Sequence, residues 1–121
     1  LDQIPRNLFR DSAHAFATDG KARRIVRQAL RRGFDLQIEP ELRAFVYMPL
    51  EHSEDPDDQT DCVRLMQALC EETGDGEFLR FAEMHRDIID RFGRFPHRNA
   101  ALGRESTPDE VAFLAGGGFA G

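Results

Sequence analysis

Apolar residues recur at three- and four-residue steps along most of this chain, and no period-two run is long enough to read as a strand. The spacing predicts four main helices. The first, capped by Asp11 or Ser12, is expected to run to about Arg32 and to stop at Gly33. Phe16, Ala22, Ile25, Val26, Ala29 and Leu30 form its apolar face, and Gly20 inside it costs about 1 kcal/mol against Ala. The second begins at Pro40 and extends to about Glu51, with Leu42, Phe45, Val46, Pro49 and Leu50 as its stripe. Pro49 lacks an amide donor, so a kink or an end is expected there.

The third helix is expected to reach about Thr73, with Val63, Met66, Leu69 and Cys70 facing inward. Gly74-Asp75-Gly76 separates it from a fourth helix at about Glu77 to Phe92. That helix carries Phe78, Phe81, Ala82, His85, Ile88, Ile89 and Phe92 on one side and closes at Gly93. A short last helix opens at the capping box Thr107-Pro108-Asp109-Glu110 and ends before Gly116.

Short connections force such helices to pack antiparallel. The expected fold is therefore all-α: antiparallel helix pairs, about four main helices plus a short C-terminal one. Residues 1–121 read as a single helical domain with a Gly-rich flexible tail at 116–121. The chain opens on Leu1-Asp2-Gln3-Ile4 rather than on Met, which reads as the tail of an element already under way. A preceding segment is expected, and the targeting information it could carry is not visible.

Charge refines the picture. The net charge is −6 at pH 7. Residues 1–50 carry +3, residues 51–90 carry −10 and residues 91–121 carry +1. An acidic chain of this kind lacks the broad positive surface that nucleic-acid binding needs. No apolar run approaches the roughly 20 residues of a membrane-spanning helix. Cys62 and Cys70 on one helix lie roughly 12 Å apart along its axis, too far for a disulfide. They read as two buried, reduced thiols, and the cytoplasm as the compartment.

Candidate chemistry concentrates in three places. From His85 to Asn99 the chain carries Arg86, Arg91, Arg94, His97 and Arg98. Arginine binds carboxylate or phosphate bidentately, and histidine can move a proton. His85 lies in an apolar stripe, as a core histidine would. Arg94, His97 and Arg98 sit on a turn between Gly93 and the last helix, although they could equally tie carbonyls and helix ends together.

The second place is His52-Ser53-Glu54. Its His-x-Glu spacing lacks the Pro-Cys-x-x-Cys half of a zinc deaminase, and no His-Glu-x-x-His or Gly-x-Ser-x-Gly is present. Capping of a helix end explains these residues, while a site joining His52 and Glu54 to His85 or His97 is the alternative. No cofactor and no metal site are expected. The third place is the basic face Arg23, Arg24, Arg27, Arg31 and Arg32, read as solvated. Docking onto the acidic run Glu51, Glu54, Asp55, Asp57, Asp58 and Asp61, or onto an acidic partner, is the alternative. That run also suits a helix N-terminus.

Five stretches together resemble the domain-of-unknown-function 924 family: Asp2-Gln3-Ile4-Pro5-Arg6-Asn7, Ala15-Phe16-Ala17-Thr18-Asp19, His52-Ser53-Glu54, Arg91-Phe92-Gly93-Arg94-Phe95-Pro96-His97-Arg98-Asn99 and Gly103-Arg104-Glu105-Ser106-Thr107-Pro108. They run in order from residue 2 to about 115. The resemblance, to a family of bacteria and fungi, implies a tetratricopeptide-like fold of stacked helix pairs, usually with a further N-terminal helical segment, and the chain is expected to be bacterial. It implies no activity.

Two functions follow as expectations. The first is a helical module that binds a protein or peptide partner, or dimerises through an exposed apolar groove. The second is an enzyme or binder for a small anionic ligand. Its site would be Arg94, His97 and Arg98, joined by Arg6, His52, Glu54 and His85.

Overall fold

Proline and glycine punctuate the chain where the helices start and stop. Pro40, Pro56 and Pro108 each open a helix, where the missing amide has no partner to lose. Gly74 (φ 78°) and Gly93 (φ 72°) close two others in the left-handed conformation that glycine adopts without strain. The computed structural model describes residues 19–118. Among them are α1 (Asp19–Arg31), α2 (Pro40–Glu51), α3 (Pro56–Thr73), α4 (Glu77–Phe92) and α5 (Pro108–Ala115), with single 3₁₀ turns at Phe34–Gln37 and Pro96–Arg98. The described residues contain no strand, and none of their helices is long and apolar enough to cross a membrane. The all-α expectation holds, and the layout is compatible with tetratricopeptide-like pairs. The Asp11/Ser12 cap, Phe16 and Arg6 lie outside the described residues.

Helices α2, α3 and α4 pack as consecutive neighbours, with α1 laid on α2. Their shared core is Val26, Ala44, Tyr47, Leu50, Cys62, Val63, Met66, Leu69 and Ala82. A second cluster, Ile88, Ile89 and Phe95 with Phe92 and Phe113 against it, anchors the C-terminal part. At about 25 cal/mol per Å² of apolar surface, this burial is the main force holding the bundle together.

Several expectations need correction. Ile25 and Phe81, expected on the apolar faces of their helices, are 44% and 43% exposed. The buried face of α2 is Ala44, Tyr47 and Leu50, while Leu42 and Phe45 are 54% and 53% exposed. Tyr47 can sit inside because its hydroxyl donates to Asp35 at 2.6 Å. Burial and that bond both raise the tyrosine pKa. Pro49 neither ends nor breaks α2: it stands in the last turn, and the helix runs on to Glu51. Of the two thiols Cys62 is buried and Cys70 only half-buried. Both are free, and burial, with Glu51 and Asp58 nearby, pushes the Cys62 thiol up.

Candidate functional site

The corner between α2 and α3 holds an unusual density of buried polar groups. Asp55 caps α3 by accepting from the Asp57 amide at 2.9 Å. Gln59, fully buried, donates through Nε2 to the carbonyls of Glu51 (2.5 Å) and Ser53 (2.7 Å). It thereby ties the end of α2 to the start of α3. Ser53 Oγ donates to Asp58 at 2.7 Å and accepts from Arg23 at 3.0 Å and from the Asp55 amide at 3.1 Å.

Two residues of the basic face of α1, Arg23 and Arg27, dock onto this corner, while the rest of the face stands in solvent as expected. Arg27 bridges Asp58 and Asp61, the latter at 2.6 Å, and Arg23 reaches Asp58 at 3.1 Å. Burial alone would lower the Arg27 pKa, but the two carboxylates outweigh it and raise it. Arg24, Arg31 and Arg32 are the exposed remainder of that face.

Arg23, His52, Ser53, Glu54, Asp55 and Arg98 line a cavity of about 230 Å³ at this corner. His52 is the C-cap of α2. Arg98, buried on the turn after α4, donates to the His52 carbonyl at 2.6 Å and lies 4.8 Å over the Phe95 ring. Glu54 is held by Arg104 through two bonds of 2.9 and 3.0 Å and by the Phe95 amide at 2.6 Å. Burial pushes its carboxyl up, yet these donors win and its pKa falls below the usual value. Glu54 is therefore an anion already neutralised from the cavity wall outward.

Behind His52 stands His85, with ring centroids 5.8 Å apart. His85 Nδ1 meets the Phe81 carbonyl at 2.7 Å. A carbonyl only accepts, so Nδ1 carries a proton. Glu51, the last residue of α2, places Oε2 at 3.7 Å from His52 Nε2 and 3.9 Å from His85 Nε2. Glu51, His52 and His85 thus bring three potential metal-ligating atoms within 4.8 Å of one another. Spacing in the sequence does not announce this cluster, because His85 arrives on a different helix.

The remaining candidates separate. Arg94 turns away to Glu110, at 2.7 and 2.8 Å, and to the Glu105 carbonyl at 2.6 Å. His97 packs beside Phe95, with ring centroids 5.8 Å apart. So His52, Glu54 and Arg98 share the cavity, His85 backs it, and Arg94 belongs to the docking of α5. Arg23, singled out only as part of a basic face, joins the site. Glu51 and Arg104 enter it without having been singled out as site residues. Arg104 lay in one of the family stretches, which was the signal available.

The family profile described as "Bacterial protein of unknown function (DUF924)" matches residues 1–118. No curated protein matches the sequence. A solved structure of a protein of unknown function from Agrobacterium tumefaciens is similar over 94% of this chain, at 49% identity and a TM-score of 0.86. This chain spans 62% of the length of that one. By the profile match over nearly its whole length, the chain belongs to the DUF924 family of bacterial proteins.

Proposed function

We propose that the corner between α2 and α3 binds a small ligand bearing a carboxylate or phosphate. The cavity lined by Arg23, His52 and Arg98 carries this reading. Burying charged and polar groups costs several kcal/mol unless they are paired. The lining carboxylates are already engaged: Glu54 by Arg104 and Asp55 by its cap. Guanidinium and imidazole groups line the same space, which suits an anionic ligand of a few heavy atoms, and Arg23, bonded to Ser53 and Asp58, would share its donors with it. Calorimetric titration with inorganic phosphate is expected to show one saturable site. R23Q, which changes a partly exposed side chain, is expected to weaken binding about tenfold. Equal heats for wild type and R23Q count against the reading.

A second reading, a module for a protein partner, rests on a different surface. Leu42, Phe45 and Phe81 are each more than two-fifths exposed, and Phe45 meets Phe78 edge-on across α2 and α4. On this reading the exposed apolar row is an interaction face, with a second copy of the chain as its occupant. Sedimentation of wild type at tens of micromolar is then expected to show dimer, and F45E monomer. A wild type that stays monomeric removes this reading.

A further inference from the structure

We propose that Glu51, His52 and His85 bind one divalent transition-metal ion of the zinc class, through Glu51 Oε2 and the imidazole nitrogens of His52 and His85. The inference goes beyond anion binding: the two sites share only His52, and the ion site stands without any anion.

The geometry comes first. Two ligand atoms at ~2.1 Å from a tetrahedral ion stand about 3.4 Å apart. Here Glu51 Oε2 lies 3.7 Å from one histidine nitrogen and 3.9 Å from the other. All three ligand atoms lie within 4.8 Å of one another, so the widest pair has to close by up to roughly 1.4 Å, through rotation of the partly exposed His52 side chain, for one ion to take all three. Two imidazoles and a carboxylate are ligands that zinc and its neighbours accept, and three protein ligands leave a fourth position for water or substrate.

The surroundings support it. The proton on His85 Nδ1, held by the Phe81 carbonyl at 2.7 Å, leaves Nε2 as the lone-pair atom of the neutral ring. A ligating histidine is commonly held in this way, with its other nitrogen bonded to a carbonyl. The His52 backbone is fixed in turn by Arg98, which donates to its carbonyl at 2.6 Å. Glu51 and His52 form the C-terminal end of α2, where the helix dipole favours a cation. Burial completes the case. The Glu51 and His85 side chains are 7% and 5% exposed, whereas His52 is 16% exposed and lines the cavity. An ion there is shielded from bulk water and approachable from the cavity side.

The test uses the full chain, treated with chelator and then titrated with Co²⁺ alone and competed with Zn²⁺. One equivalent of Co²⁺ is expected to bind, giving visible absorption bands of low-coordinate cobalt that Zn²⁺ abolishes. H52Q and H85Q are expected to lose at least tenfold in affinity, and E83Q, on an exposed part of α4, to match wild type. Circular dichroism accompanies each variant. If the buried H85Q unfolds, the partly exposed H52Q decides. Absence of stoichiometric Co²⁺ binding by wild type overturns the proposal, as does undiminished binding by folded H52Q. Phosphate titration of the metal-stripped chain is scored separately, so failure of one site does not pass for failure of the other.

Discussion

Replacing Glu110 by Ala is expected to lower the stability of the chain by about 3 kcal/mol, one of the two largest single effects predicted here. The residue is 2% exposed and does three jobs. It accepts both bonds from Arg94, it takes the Thr107 amide at 2.9 Å as the return half of the capping box, and its Oε1 lies 3.4 Å from Asn99 Nδ2. A lost cap alone costs about 1 kcal/mol. Removing one partner of a buried ion pair costs about 3–5 kcal/mol, and the exposure of Arg94 (27%) brings this pair below that range, to about 2 kcal/mol. Urea unfolding of wild type and E110A checks the figure. A difference under 1 kcal/mol would mean that α5 is not anchored through this residue.

The same carboxylate sets a pH dependence. The Arg94 guanidinium, aided by the Thr107 amide and Asn99 and opposed by burial, holds the Glu110 pKa at about 2, against an ordinary 4.5. A depressed carboxylate contributes stability that is complete above its unfolded value and disappears as pH falls through its folded value. Stability is therefore expected to fall between about pH 4.5 and pH 2, and E110A is expected to lose part of that slope.

Replacing Gln59 by Leu is the second large effect, with an expected cost of about 2–4 kcal/mol. The shape is nearly kept, so the change reports on hydrogen bonding. Gln59 Nε2 serves the carbonyls of Glu51 and Ser53 at the turn between α2 and α3, and the residue is fully buried. Each buried group left without its partner costs about 1–3 kcal/mol. The loop also carries His52, Ser53 and Glu54, so Q59L is expected to weaken phosphate binding as well as stability. Thermal unfolding and calorimetry measured together check both. Unchanged phosphate affinity in a destabilised but folded Q59L would show that the corner does not depend on this clamp.

Helix positions were legible in the sequence because their signals are local. Thr107-Pro108-Asp109-Glu110 spells its own cap, and both halves of the box form. Gly93 ends α4 where the apolar stripe stops. The buried face of α2 is not legible locally, because Tyr47 can turn inward only where Asp35 is there to receive its hydroxyl. Burial of His85 is legible from its stripe and its joining His52 is one of the alternatives the sequence offers, but the choice of His85 over His97 and the arrival of Glu51 depend on how α4 packs. The same holds for Arg27 with Asp58 and Asp61, and for Arg104 with Glu54. Arg94 illustrates the converse. Its place on an exposed-looking turn suggested a ligand, yet the buried Glu110 carboxylate already occupies it. Charge patterns show which groups could pair, and only the fold chooses among the pairings.

On the reading proposed above, ligand binding sits at the corner between α2 and α3. Titrating isotope-labelled chain with inorganic phosphate, and following amide and guanidinium resonances, tests it most directly. Saturable shifts are expected at Arg23, at residues 52–55 and at Arg98, with Arg94 undisturbed. Shifts confined to the exposed Arg24, Arg31 and Arg32, or no saturable shift at all, would contradict it.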